Sequence, residues 1–141
     1  MNNIKVEFNK KNILFEDNHL IIVNKPSGIL VQGDKTGDTT LAEQIKTYLK
    51  KKYKKPGKVY LGIVHRLDRP TSGVIIFAKT SKSLIRLNRQ FQERKINKKY
   101  WAITEKNENI NSKTLKNWLI KNQKQNKSYV QNNEIKGSKI A

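Results

Sequence analysis

Turn-forming residues interrupt the apolar sequence every few positions between Ile13 and Gly33. The stretch ILFEDNHLIIVNKPSGILVQG sets three apolar runs, Ile13–Phe15, Leu20–Val23 and Ile29–Val31, around the breaks EDNH and NKPSG. Runs of that length, bounded by Asp, Asn, Pro, Ser and Gly, read as short strands joined by turns. Such spacing favours an antiparallel or mixed sheet over a doubly wound one. VYLGIVH (59–65), GVIIFAKT (73–80) and KKYWAITE (98–105) read as further strands.

Two helices fit between these runs. Thr39 or Thr40 can cap the first, with Glu43 placed to close a capping box on Thr40. Leu41, Ile45, Tyr48, Leu49 and Tyr53 then share one face, and the helix ends in the basic KKKYKK before Pro56 and Gly57. That basic end reads equally as a solvated terminus matched to the helix dipole and as a contact for a polyanion. Ser81 reads as the cap of a second helix, with Leu84, Leu87 or Asn88, Phe91 and Gln92 inward. Residues 106–114 are polar and loop-like, LKNWLI (115–120) opens another ordered piece, and IKGSKIA stops on what reads as the first residues of a strand. The chain is therefore expected to be cut short within its fold. The expected class is α/β, α+β in layout: a mixed, largely antiparallel sheet with flanking helices and a cleft across its face.

Charge narrows the partners. Thirty Lys+Arg against 11 Asp+Glu give the 141 residues a net charge of +19. The excess is concentrated: residues 46–104 hold 17 Lys+Arg and two acids, and all five arginines lie there. Such a surface attracts polyanions by counterion release. The absence of cysteine excludes a disulfide framework or a thiolate zinc site, and His19 and His65 are too few to suggest a metal centre. No apolar run approaches the ~20 residues of a membrane span, and MNNIKVEFNK lacks a signal-peptide apolar region. A soluble, reducing, cytoplasmic setting is expected, with no membrane partner.

Against that background HRLDRPTSG (65–73) stands out, because it places Asp68 between Arg66 and Arg69. From Gln44 to Thr104 the only other acid is Glu93. His65, Asp68 and Ser72 do not make a Ser-His-Asp triad, since three members within eight residues rarely converge in space. Two readings stay open on chemistry alone. Asp68 is an ion-pair partner of Arg66 or Arg69 in a structural turn, or it is a nucleophile or base. In the second case the flanking cations keep a carboxylate ionised and draw in the phosphate backbone that a lone carboxylate repels.

HRLDRPTSG resembles the signature of the RluA-type family of RNA pseudouridine synthases. The similarity extends to ILFEDNHLIIVNKPSGILV (13–31), to GVIIFAKTSKSLIRLNRQFQERKINKKYWAI (73–103) and to WLIKNQKQNKSYV (118–130), so it covers roughly residues 13–141. The resemblance implies isomerisation of uridine to pseudouridine in ribosomal or transfer RNA, by a monomer, with neither cofactor nor metal. It implies that Asp68 is the catalytic residue, as covalent or general-base catalyst. It also implies that Tyr100, in KKYWA, stacks on the target uracil and that Arg66 helps to extrude the nucleotide. Arg69 and His65 join Arg66 as expected RNA-contacting residues, and Leu67, Gly73 and Lys25 are expected supports.

Two departures from the family pattern bear on these expectations. Residues 1–12 form only a short extension, in place of the accessory N-terminal RNA-binding domain of many relatives. The family normally continues past the equivalent of KIA into a further motif, whose basic residue and leucine are not found in residues 105–141. Residues 13–141 are thus expected to form a catalytic domain lacking its C-terminal part. The alternative function is an RNA-binding remnant without catalysis, and Asp68→Ala separates the two readings.

Overall fold

The computed structural model describes residues 7–33, 37–105, 114–125 and 127–141. The chain divides into two compact units, Met1–Lys99 and Tyr100–Ala141. The first holds β1 (Ile13–Glu16), β2 (Leu20–Lys25), α1 (Leu41–Lys52), β3 (Gly62–Ile63), β4 (Gly73–Ala78) and α2 (Ser81–Gln92). Its sheet has the order β1-β2-β4-β3 with every pair antiparallel. The helices and the antiparallel sheet match the expected α+β layout.

Period-two patterning decides which side of this sheet is buried. On β2, Ile21, Val23 and Lys25 are fully buried while Asn24 is exposed. On β4, Ile75 and Phe77 are fully buried while Val74 is exposed. Leu41, Ile45 and Leu49 of α1 join the same core with Ile29, Val31 and Leu61. The capping box at the start of α1 is present: Thr40 Oγ1 accepts from the Glu43 amide at 3.2 Å, and Glu43 Oε2 accepts from the Thr40 amide at 2.8 Å. Leu84 of α2 lies over Gly62, where a Cβ would come within 3.0 Å of it.

Several expected strands are altered, each for an identifiable reason. Ile29–Val31 is buried but is not a strand. The Leu30 carbonyl accepts from the Leu41 amide (2.7 Å) and the Val31 carbonyl from the Ala42 amide (3.3 Å), so this run satisfies the open amides at the start of α1. VYLGIVH contracts to the two residues of β3. Thr80, not Ser81, caps α2, with Thr80 Oγ1 accepting from the Ser83 amide at 3.1 Å. KKYWAITE forms no strand. An alternating pattern needs a paired backbone, and no described strand pairs with residues 98–105.

The second unit contains β5 (Trp118–Asn122), β6 (Lys127–Gln131) and β7 (Lys139–Ile140), in the antiparallel order β6-β5-β7. The ordered piece expected from LKNWLI is β5, and the strand expected in IKGSKIA is β7, paired Trp118 to Ile140. The polar stretch 106–114 lies, apart from Thr114, outside the described residues. Among the described residues no helix is long and apolar enough to cross a membrane.

A buried carboxylate ties the end of α1 to the sheet. Glu16, only 6% exposed, pairs with Lys52 (2.8 Å) and Lys79 (2.9 Å) and accepts from the Tyr48 hydroxyl (3.1 Å) and the Tyr53 hydroxyl (2.7 Å). Lys52 and Tyr53, at the basic end of α1, are thus committed to a protein partner. Burial pushes the Glu16 carboxyl up, but hydrogen bonds from Lys52, Tyr53 and Lys79 and the charge of Lys79 outweigh it and hold the pKa at about 2, against an ordinary 4.5. A depressed carboxyl stabilises the fold fully above its unfolded value, and that contribution is lost as pH falls from 4.5 toward 2. Glu16→Gln is expected to cost roughly 2 kcal/mol in urea unfolding at neutral pH. It should also flatten the acid limb of the stability profile, which a pH series of denaturation midpoints measures.

Candidate active site

The connection from β3 to β4 carries HRLDRPTSG, and its centre is a turn closed by the Thr71 amide donating to the Asp68 carbonyl at 3.0 Å. The carbonyls that follow Asp68 are all held by NKPSG. Lys25 Nζ donates to the Arg69 carbonyl (3.1 Å) and the Thr71 carbonyl (2.6 Å), and also to that of Pro26 (3.1 Å). Ser27 Oγ donates to the Pro70 carbonyl (2.7 Å), and the Gly28 amide to the Arg69 carbonyl (2.8 Å). Two segments more than forty residues apart in sequence are thereby locked together.

Lys25 is the anchor of this arrangement. It is fully buried at the end of β2, opposite Gly73 in the ladder, where a lysine is rarely found without partners. Burial lowers its pKa, and the negative charge of Asp68 opposes that shift. The cation thus sits beneath the turn and within electrostatic reach of the carboxylate above it. Gly73 completes the exit from the loop at φ +135°, a conformation that L side chains rarely adopt. Half-buried Leu67 lies against Gly73, 3.9 Å from the position of a Cβ there.

With its backbone bonded inward, the turn leaves the Asp68 side chain exposed. The Asp68 carboxylate makes no hydrogen bond or ion pair with a described residue, so the structural ion-pair reading does not hold in this geometry. Arg66 is exposed and likewise has no described partner. Arg69 behaves differently: its Nε donates to the Gly28 carbonyl at 3.1 Å and its guanidinium pairs with Asp38. These contacts strap the turn to Gly28 of NKPSG and to Asp38.

His65 is half-buried and engaged with its own fold. Beyond the end of β3, His65 Nε2 accepts from the Ile76 amide at 3.1 Å, in place of a missing ladder bond on β4. Its ring stacks on Phe91 of α2, centroids 5.1 Å apart. Tyr100 begins the second unit, outside any helix or strand, with its side chain 64% exposed. Sequence reasoning did not single out Ser27, Gly28 or Asp38. The first two lay within the NKPSG segment already noted, whereas nothing near Asp38 signals its partner 31 residues away.

Lys25→Met keeps the length of the side chain but removes the Lys25 donor from the Pro26 and Thr71 carbonyls and leaves the Arg69 carbonyl with the Gly28 amide alone. It is expected to cost about 2 kcal/mol or more in urea unfolding. His65 supplies a pH test. Burial, reinforced by the charge of Lys98, lowers its pKa below the ordinary 6.5. The neutral imidazole therefore stabilises the fold fully above pH 6.5, and stability falls as pH drops from there toward the lower folded value. His65→Gln should flatten that part of the profile.

Comparison with known proteins identifies the family. A family model described as RNA pseudouridylate synthase matches residues 19–141. The ribosomal large subunit pseudouridine synthase C of Buchnera aphidicola subsp. Schizaphis graminum is 44% identical over 92 residues, covering 65% of this chain and 27% of that protein. The protein of the same name from Pasteurella multocida is 37% identical over 119 residues, 84% of this chain and 35% of that protein. The chain therefore spans about a quarter to a third of the length of the curated relatives it matches. A solved structure, Human RNA Pseudouridylate Synthase Domain Containing 4, shares the fold with a TM-score of 0.72 at 22% identity, over 92% of this chain and 51% of that one. With 123 of its 141 residues inside the family match, the chain belongs to the RNA pseudouridylate synthase family.

Proposed function

We propose that this chain isomerises uridine to pseudouridine in RNA, with residues 13–141 as the catalytic domain and Asp68 as the catalytic residue. The observation that carries this reading is an exposed carboxylate, without a partner among the described residues, on a turn whose following three carbonyls are all bonded to NKPSG. A catalytic group serves best when its own backbone is fixed and its reacting atoms are free. The reaction consumes no co-reactant. The N-glycosidic bond breaks, a carbon–carbon bond forms between the ribose and the same uracil, and the proton lost from that ring carbon is matched by one gained at the ring nitrogen. Asp68 acts either as a nucleophile or as a base in that exchange.

The neighbouring residues take supporting roles. Arg66, exposed and without a partner among the described residues, fills the space vacated by the extruded nucleotide, and Tyr100 stacks on the uracil. Lys25, Leu67, Gly73, His65 and Arg69 hold the loop. The substrate proposed is ribosomal RNA, following the names of the relatives, with transfer RNA second. The proposal includes a monomer acting in the cytoplasm without cofactor or metal.

Asp68→Asn preserves the shape of the side chain and tests the reading directly. Pseudouridine formation on large-subunit ribosomal RNA transcripts is expected to fall at least about 100-fold, while RNA affinity changes little. Arg66→Ala should slow product formation more than it weakens RNA binding. RNA binding by the unsubstituted chain with no product at all would support the alternative, an RNA-binding protein without catalysis.

A further inference from the structure

α2 links the first unit's sheet to the segment that leads into the Asp68 loop. Its first turn is fixed at the end bearing Leu20 and Ala78, where Ser83 Oγ donates to the His19 carbonyl at 2.9 Å. In its last turn Phe91 stacks on His65, three residues before Asp68. Over 12 residues the helix is about 18 Å long.

The inward side of α2 is half-buried at Leu84, Leu87, Asn88 and Phe91. Its outward side presents Lys82, Arg86 and Arg89, one helical turn apart and all exposed. Lys82 and Arg86 make no hydrogen bond or ion pair with a described residue. Arg89 is paired with Glu93 at 2.7 Å, and Glu93 is also claimed by Lys95 at 2.7 Å. Beside Lys82 and Arg86 runs a groove lined also by Asp17, His19, Leu20 and Gln90. The carboxylate in that lining, Asp17, accepts from the amides of His19 (2.7 Å) and Leu20 (2.6 Å). Lys82 and Arg86, without partners among the described residues and spaced along a helix whose last turn packs on His65, are complementary to a phosphate backbone, and the exposed Ile85 between them adds an apolar contact for its sugars or bases.

We propose that the outer face of α2 is the track for the RNA backbone flanking the target nucleotide, with Lys82 and Arg86 contacting its phosphates. This rests on the reading of Asp68 as acting on RNA and adds the surface that presents the strand to it. Lys82 and Arg86 are binding residues and take no part in the chemistry.

The test compares two charge-matched variants, Lys82→Gln/Arg86→Gln and Lys50→Gln/Lys51→Gln, the second pair being exposed on the last turn of α1. Binding of a fluorescent RNA stem-loop with a uridine in its loop is titrated between about 50 and 200 mM salt. The α2 variant is expected to bind several-fold more weakly, with the slope of log affinity against log salt reduced by about 0.7–0.9 for each lost contact. The α1 variant should keep nearly the original slope. Equal losses from both variants would assign the effect to net charge and overturn the track, as would an unchanged α2 variant. Pseudouridine is measured in the same samples, so that α2-dependent binding without Asp68-dependent product marks a failure of the catalytic reading, not of the track.

Discussion

The Lys25 ammonium, buried at the end of β2 and bonded to the carbonyls of Pro26, Arg69 and Thr71, is the interaction on which the candidate site depends. A buried cation costs free energy unless its hydrogen-bonding capacity is filled. Here the acceptors are backbone groups of the loop that must be ordered. The same contacts therefore neutralise the cost of burial and fix the path of the chain on either side of Pro70. Ser27, the Gly28 amide and Arg69 add to the tie from the surface, but they are exposed to water and individually worth less.

Fixing the backbone from below has an electrostatic consequence above. Asp68 is close enough to Lys25 to oppose the lowering of its pKa, yet it forms no direct ion pair with it. Arg69, the neighbour best placed by sequence to pair with Asp68, is bound to Asp38 instead. The carboxylate is thus left exposed, with the Lys25 cation behind it. The exposed arginine and lysine residues of α2 extend the same field away from the loop.

What was legible in the sequence was mostly local. The Thr40–Glu43 capping box follows from four residues, and the buried faces of β2 and β4 follow from alternation. Asp68 stood out because a short signature carries it between two arginines. Non-local partners escaped. Ile29–Val31 has the composition of a strand, but its carbonyls bond the first amides of α1. KKYWAITE has the right alternation and no described partner strand. The anchoring role of Lys25 is not legible locally, because a lysine beside a proline turn is ordinarily at the surface. Its burial depends on carbonyls 44 and 46 residues away, which no local pattern shows. Arg69 was read by its neighbour in sequence, and its partner proved to be Asp38, in a different loop.

The measurement that tests this account most directly is the titration of the Lys25 side chain by heteronuclear NMR, in the unsubstituted chain and in Asp68→Asn. The account predicts a Lys25 ammonium that deprotonates below the range of the exposed lysines, and lower still when the Asp68 charge is removed. A Lys25 that titrates with the surface lysines and ignores Asp68→Asn would contradict it, since neither the buried anchor nor its proximity to the carboxylate would then exist in solution.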